Sequence, residues 1–257
     1  MTRGRTLALA GALLALAAPR RAEAQGAYEI QIYGVDLVEP GRTMLELHSN
    51  FTFDGVRSPG GGVASSRDAL HETVEVTHGF TGWFELGAYL FTTVQPGAGP
   101  AWVGDHLRPR VRAPASWGWP VGVSLSAEVG VERRAYRGDT WSLELRPIVD
   151  ERLGRWYWSV NPVLDRALAG APGAAWEFSP CATVTVDVSR KLTVGLEYYG
   201  GFGPLRGFAA PDAQWQQLFP VAALTVSPDW EINGGVGFGL TPATDRLTAK
   251  LILGRRW

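Results

Sequence analysis

Residues 120–134 read PVGVSLSAEVGVERR, and apolar and polar side chains alternate along most of this stretch. Val, Leu and Ala occupy most of its odd-numbered positions, whereas Ser, Glu and Arg occupy most of its even-numbered ones. Because successive side chains of a β-strand point to opposite faces, the pattern predicts a strand with one apolar face and one charged face. Strands of soluble proteins are usually about 5–6 residues long, whereas a tilted strand that crosses a bilayer needs about 10. The stretch therefore predicts a membrane-spanning strand.

The same period of two recurs along most of the chain, and each alternating segment ends in Gly, Pro, Asp or Ser residues, which favour turns. The predicted strands are residues 43–53, 68–79, 82–94, 102–113, 120–134, 140–153, 156–166, 174–188, 191–202, 215–227, 230–240 and 245–257. An even number of long alternating strands is typical of bacterial outer-membrane barrels. The predicted fold class is all-β: a transmembrane antiparallel up-and-down β-barrel of about 12 strands formed by residues 43–257.

The connections between these strands alternate between short and long, with one short exception among the long ones. The short connections are residues 79–82, 114–119, 154–155, 189–190 and 227–229. The others are residues 54–67, 95–101, 135–139, 167–173, 203–214 and 241–244. Outer-membrane barrels have tight periplasmic turns and longer outer loops, so both ends of the barrel chain are predicted on the periplasmic side.

The N-terminus has the features of a secretory signal peptide. Two arginines precede an apolar run at residues 7–18, and the small-x-small sequence Ala22–Ala24 follows. We therefore predict cleavage after residue 24, so that the mature chain begins at Gln25. The apolar run is shorter than the ~20 residues that a membrane-spanning helix needs, and a buried N-terminal helix is the alternative.

Residues 25–42 lie between the signal peptide and the first predicted strand. The sequence leaves three possibilities open for this segment: an extra strand, a periplasmic tail, or a plug in the barrel. No later run reaches 18 apolar residues, so membrane-spanning helices are not expected after the signal peptide.

Charge and composition exclude several classes of function. The chain has a net charge of −1, and removal of residues 1–24 would take away four arginines and one glutamate and leave −4. An acidic chain argues against nucleic acid as a partner. Cys181 is the only cysteine, so neither an internal disulfide nor a cysteine metal cluster is possible. No metal-binding spacing or nucleotide fingerprint occurs, and no cofactor or metal is predicted.

Tryptophan is concentrated near the ends of the predicted strands, where it would meet the membrane–water interface. The residues expected in the two aromatic girdles are Trp83, Trp102, Trp141, Trp156, Trp158, Trp176, Trp215 and Trp230. The chain ends in Trp257, and Leu251 and Leu253 share its face. This ending resembles the C-terminal signature of outer-membrane barrels. It implies outer-membrane lipid and the barrel-assembly machinery as partners.

The predicted lumen face is rich in charge, and Arg108, Arg110 and Arg112 lie on one face of one strand. Three such guanidinium groups need carboxylates or an anion opposite them. The residues expected beside this constriction are Glu46, His48, Glu128, Glu144 and Arg146. One interpretation is a narrow channel that guides a small anionic solute. The other is a salt-bridge network that fills the barrel, since ~8 strands give a filled barrel and ~16–18 an open channel.

An outer-membrane lipid-modifying enzyme or hydrolase is the third possibility. Known enzymes of this kind use a His and a Ser on the same strand face. Here His48 and Ser49 are adjacent, so they point to opposite faces, and the nucleophile would lie out of reach of its base. No catalytic residue is therefore predicted.

Several stretches resemble an uncharacterised family of outer-membrane proteins. They are residues 46–51 (ELHSNF), 71–80, 102–112 (WVGDHLRPRVR), 153–165 (LGRWYWSVNPVLD), 196–203 and 236–257. The family is similar to the barrels named for the MetA pathway of phenol degradation, which are described as transporters. The resemblance implies uptake of a small aromatic solute, and it assigns no binding residue. Together with the barrel and the row of arginines, it predicts passive passage of a small anionic or aromatic solute across the outer membrane of a Gram-negative bacterium.

Overall fold

The computed structural model describes residues 26–57, 62–169 and 175–257, which form a closed barrel of twelve antiparallel strands. The predicted signal peptide and Gln25 lie outside the described residues. The strands are β1 (Thr43–Asp54), β2 (Ala69–Thr81), β3 (Phe84–Gln95), β4 (Gly99–Arg112), β5 (Gly122–Glu132), β6 (Trp141–Leu153), β7 (Trp156–Asn161 and Leu164–Ala169), β8 (Glu177–Phe178 and Cys181–Asp187), β9 (Leu192–Gly201 and Gly203–Pro204), β10 (Trp215–Ser227), β11 (Trp230–Gly239) and β12 (Leu247–Arg256).

Each strand pairs with its neighbours in the sequence, and β1 closes the sheet by pairing with β12. In that closing pair Ser49 lies opposite Leu251. Closure leaves no free strand edge, as a sheet in lipid requires. All twelve predicted strands are confirmed, and most of their ends differ from the prediction by a few residues. For example, β4 is predicted from residue 102 but begins at Gly99, because a tight turn with positive φ at Gly97 follows β3.

The wall is locally interrupted in three adjacent strands, β7, β8 and β9. Pro162 and Pro180 lie in two of the gaps, and proline has no N–H to donate to the sheet. Hydrogen bonds nevertheless continue across the interruptions: Ser179 donates its N–H to the carbonyl of Val163, and Gly200 donates to Pro180. The barrel wall therefore remains closed at this level.

The two faces of the wall differ as the alternation predicts. On β1, Leu45 and Leu47 are exposed on the outer face, whereas Glu46 and His48 are buried on the inner face. Apolar side chains on the outside and polar ones on the inside are the arrangement of a transmembrane barrel. Among the described residues, no helix is long and apolar enough to cross a membrane.

Residues 26–42, hereafter the strap, lie inside the barrel in a mostly extended form without pairing in the sheet. As the sequence predicts, we call the end of the barrel with the longer connections the outer end and the end with the shorter turns the periplasmic end. Near the outer loops, Asn50 of β1 donates its amide N–H to the carbonyl of Ala27 at 2.9 Å. Near the periplasmic turns, the N–H of Val38 donates to Glu85 at 2.7 Å. The strap therefore runs along the lumen from the outer end to the periplasmic end before β1 begins.

Side chains of the strap pack against the wall in two buried apolar clusters. Near the outer end, Tyr28 packs against Phe91 in a cluster that also includes Tyr89 and Val103 of β3 and β4. On the opposite wall, Ile30 belongs to a cluster with members from β8, β9 and β10. The two clusters fix the strap between opposite sides of the barrel.

The periplasmic end of the strap has a polar anchor at the rim of the barrel. Arg42 donates to Asp229 in the turn between β10 and β11, and this hydrogen bond raises the pKa of the Arg42 guanidinium. The N–H of Gly41 donates to the carbonyl of Gly79 at 2.7 Å. The strap is therefore tied to the wall at both ends of the lumen.

Candidate functional site

The lumen holds a dense group of buried charged side chains, because the inner face of each strand carries its polar residues. Among the described residues, those that are buried are Glu29, Glu46, Glu75, Glu85, Glu128, Glu132, Asp150, Glu197, Arg108, Arg110, Arg146 and Lys250. Buried charges are costly unless they are paired and hydrogen-bonded. Since eight of these residues are acidic and four are basic, the carboxylates are in excess.

Arg108 is at the centre of this group, and its partners come from β2 and β3. Its guanidinium donates to Glu75 at 2.5 Å and to Glu85 at 3.0 Å. Glu128 and Glu144, which the sequence suggested as its partners, lie on β5 and β6 and bind other groups. The long arginine side chain reaches across β3 to β2, a direction that face parity does not reveal.

Arg110 and Arg112 continue the ladder toward the periplasmic end. Arg110 donates to Glu85 at 2.8 Å and to the backbone carbonyls of Gly34 and Asp36 in the strap at 2.9 and 2.6 Å. Arg112 is half-buried and forms an ion pair with Asp36 at 3.2 Å. Asp36 is almost fully exposed, so Arg112 lies at the rim, whereas Arg108 and Arg110 lie in the interior.

The predicted residues on β5 and β6 belong to two separate pairs, one of them with His106 of β4. Arg146 donates to both carboxylate oxygens of Glu144, at 2.6 and 3.0 Å, and to the carbonyl of Gln31 in the strap at 3.3 Å. Glu128 is hydrogen-bonded to Nδ1 of His106. The structure therefore brings Arg108, Arg110 and Arg146 against the strap.

Tyr33 of the strap lies between these three arginines. The guanidinium carbons of Arg108, Arg110 and Arg146 lie 4.8, 5.3 and 4.9 Å from the centroid of its ring. An aromatic face attracts a cation at such distances, and the attraction is stronger where water is excluded. Tyr33 is buried, so its ring fills the space onto which the three cations converge.

The hydroxyl of Tyr33 belongs to a chain of hydrogen bonds that leads from the wall to the strap. Arg108 donates to the hydroxyl of Tyr89, and the two tyrosine hydroxyls are 2.8 Å apart. The Tyr33 hydroxyl donates to the carboxylate of Glu29 at 2.6 Å. Such chains strengthen one another in a dry interior, and this one connects β3, β4 and the strap.

Two cavities lie on either side of this cluster. The outer cavity, of about 230 Å³, is lined by Tyr28, Ile30 and His71 among others. The periplasmic cavity, of about 160 Å³, is lined by Gln31 and Arg110 among others. Ile30 and Gln31 are adjacent in the strap but line different cavities, so the strap separates the outer cavity from the periplasmic one.

The predicted girdle residues are mostly on the outer surface. Trp83, Trp102, Trp141, Trp156 and Trp230 are exposed. Trp158 and Trp176 are half-buried.

Trp215 lies on the inner face instead, where it packs against the buried cluster around Phe219 and lines the outer cavity. The reason is that Trp215 shares the parity of the buried residues Gln217 and Phe219 on β10. Trp257 is exposed beside the pair of β1 and β12 that closes the barrel, and its backbone N–H donates to the carbonyl of Thr43 at 3.0 Å. Its role in assembly remains a prediction.

His48 and Ser49 face opposite sides of β1, as their adjacency requires. His48 is fully buried in the lumen. The hydroxyl of Ser49 donates to Glu72 on the outer face at 2.8 Å. These two residues therefore do not form a nucleophile and its base.

Sequence reasoning did not single out the strap residues Tyr33 and Glu29, nor Tyr89 on β3. The strap does not pair in the sheet, so no alternation of faces along its sequence predicts which wall residues its side chains contact. Tyr89 could have been found, because it shares the inner face of β3 with Glu85.

No protein-family model matches the chain, and no curated protein matches it. Solved structures do resemble it. The NanC porin is 8% identical with a TM-score of 0.53, and the match covers 82% of this chain and 97% of that one. The KdgM porin is 9% identical with a TM-score of 0.50 over 83% of this chain and 98% of that one. At these identities the likeness is one of fold, and the resemblance to the MetA-pathway barrels stays a prediction.

Proposed function

We propose that this protein is an outer-membrane channel of a Gram-negative bacterium that passes a small solute passively, and that the strap closes the channel in the conformation described here. The observation that carries the proposal is the position of Tyr33 between Arg108, Arg110 and Arg146. Displacement of the strap would join the two cavities and expose these three cations to a solute.

The groups that the strap places in the lumen indicate the class of solute. A phenol ring lies among the three arginines, and its hydroxyl donates a hydrogen bond to the carboxyl group of Glu29 at 2.6 Å. A small aromatic acid presents the same two groups, a ring and a carboxylate. We therefore infer that such a solute competes with the strap for this position.

The proposed solute site occupies a short section of the lumen. The electrostatic potential of the lumen as a whole does not favour anions. Buried carboxylates outnumber buried arginines and lysines among the described residues. The attraction for an anion would be confined to the short section at Arg108, Arg110 and Arg146. Recognition there would depend on hydrogen-bond geometry and stacking, which arginine supplies through its planar fork.

A filled barrel without a pore is the second candidate. It is favoured by the buried polar contacts that hold the strap, such as those of the Tyr33 carbonyl with Ser159 at 2.6 Å and Asn161 at 3.0 Å. The two candidates differ in one respect: a channel requires that the strap leave the lumen, and a filled barrel does not.

A disulfide between the strap and the wall separates the two candidates. A Cβ atom built on Gly122 of β5 would lie 2.6 Å from Cγ2 and 3.1 Å from Cγ1 of Val35. Because both methyl carbons are bonded to Cβ of Val35, the β-carbons of residues 35 and 122 lie within reach of a disulfide, whose Cβ atoms are about 3.5–4.5 Å apart. Oδ1 of Asp150 would lie 2.4 Å from the same Cβ position, so the Asp150 side chain has to shift in this variant. The variant carries Val35→Cys and Gly122→Cys, with Cys181→Ser to remove the native thiol.

Conductance of this variant is measured in a planar bilayer before and after reduction, so that the reduced protein is its own control. Channel function predicts silence when the disulfide is formed and openings when it is reduced, with a small aromatic acid such as benzoate altering the open current. Equal openings in both states would contradict the closing role of the strap. Silence in both states would establish the filled barrel.

A further inference from the structure

The pairing of β1 with β2 brings two carboxylates and an imidazole together on the inner wall. Glu46 lies directly opposite Glu75 in the strand register, and His48 follows two residues later on the same face. All three residues are buried, with exposed fractions of 4, 0 and 0% for Glu46, His48 and Glu75. One ligand atom from each lies within 4.8 Å of the other two.

In this cluster two carboxyl groups face each other, and several buried polar atoms have no hydrogen-bond partner among the described residues. Like charges placed directly opposite each other destabilise a pair of strands. Arg108 and Thr77 bind Oε1 of Glu75, but Oε2 is buried without a hydrogen-bond partner among the described residues. Neither ring nitrogen of His48 has a hydrogen-bond partner there either. Oε2 of Glu75 and Nε2 of His48 face each other at 3.5 Å, too far apart for a good hydrogen bond, so an ion or a water between them would satisfy both.

We propose that Glu46, His48 and Glu75 bind a divalent transition-metal ion of the zinc class. Zinc bonds to nitrogen and oxygen ligands are about 2.0–2.2 Å long, so the edge of a tetrahedral site is about 3.4 Å. Nε2 of His48 lies 3.5 Å from Oε2 of Glu75, close to that edge. Three protein ligands leave the fourth position for water, an arrangement that zinc accepts.

Another histidine in the lumen shows why the geometry at His48 is distinctive. His106 also lies near two carboxylates, but its Nδ1 faces Glu128 and its Nε2 faces Glu132 at 3.6 Å. Because the two nitrogens lie on opposite sides of the ring, these carboxylates do not converge on one point. At His48, by contrast, one oxygen of each carboxylate and one ring nitrogen all lie within 4.8 Å of one another, so a modest movement of Glu46 would complete the site.

The cluster is also accessible from one side. Glu46 lines the periplasmic cavity of about 160 Å³, which would give an ion a route to the site. The inference concerns binding at the wall and does not depend on whether the barrel conducts.

Binding is measured on the full mature chain, refolded in detergent and stripped of metal with EDTA, by calorimetric titration with Zn²⁺. The test variants are His48→Gln and Glu46→Gln. His71→Gln is the matched control, since His71 is buried on the same wall with both nitrogens unpartnered. It packs edge-on against Tyr28, with ring centroids 4.7 Å apart.

The wild type and His71→Gln are expected to bind about one equivalent of Zn²⁺, and the two test variants to bind at least ~10-fold more weakly, as expected when a metal site is disturbed. Zinc-edge X-ray absorption of the wild type provides a measurement that needs no variant. It should show nitrogen and oxygen ligands at about 2.0–2.2 Å, including one imidazole. Absence of binding, full binding by His48→Gln, or a sulfur ligand from Cys181 would each overturn the proposal.

Discussion

Replacement of Tyr33 by phenylalanine or alanine would weaken the hold of the strap on the lumen wall in two distinct steps. Tyr33→Phe removes the hydroxyl, which is bonded to the Glu29 carboxylate and to Tyr89. Two buried hydrogen bonds are together worth about 2 kcal/mol. Because 1.4 kcal/mol is a factor of ten, the ratio of displaced to docked strap should rise about 30-fold.

Tyr33→Ala also removes the ring from its contacts with the three arginines and leaves a cavity. Truncation of a buried aromatic residue costs about 3–5 kcal/mol, so the same ratio should rise on the order of 10³-fold. Open probability in a planar bilayer measures this ratio, and it should increase in the order wild type, Tyr33→Phe, Tyr33→Ala. The matched control is Tyr198→Phe on the outer face of β9, which should behave as the wild type.

The reasoning would be refuted if Tyr33→Ala, folded and inserted, had the open probability of the wild type. It would also be refuted if Tyr198→Phe opened the barrel as much as Tyr33→Phe. The first result would show that the strap does not limit conduction. The second would show that the effect arises from general loosening of the wall.

Two further predictions concern the stability of the wall, measured as the free energy of unfolding in urea. In Gly130→Ala the new Cβ would lie 1.8 Å from Cδ2 of His106, and overpacking should cost about 1–3 kcal/mol. Gly234→Ala is the control, since its new Cβ would have only ordinary contacts and should cost little. Equal losses of stability in the two variants would contradict a close contact between Gly130 and His106. Lys250→Met would leave the carboxylate of Glu197 buried without its ion-pair partner and should cost about 3–5 kcal/mol. Adding Glu197→Gln should recover much of that loss, and a double variant as unstable as Lys250→Met would contradict the pairing.

Face parity explains most of what the sequence predicted about the wall. Glu46 and Arg108 were expected inside because each lies between apolar residues that alternate with it along a strand, and both are buried in the lumen. The assignment of Trp215 to a girdle did not use parity, since it relied on the position of the residue near a strand end. Parity with Phe219 would have placed Trp215 inside.

The partners of each inner side chain were less predictable. Arg108 could face carboxylates on either side of β4, and its sequence position does not distinguish β2 from β6. Its observed partners are Glu75 and Glu85, and this choice depends on strand register and on the reach of the Arg108 side chain. The cluster of Glu46, His48 and Glu75 likewise depends on the register between β1 and β2.

The sequence by itself determined that the chain forms a barrel of about 12 strands with an apolar exterior and a charged lumen, because a period of two fixes the face of every strand residue. Only the tertiary structure decided what occupies that lumen. Residues 26–42 do not pair in the sheet, so they satisfy their backbone groups through wall side chains that are distant in sequence, such as Asn161 for Tyr33. Contacts of that kind form only when the barrel closes, and no local sequence pattern predicts them.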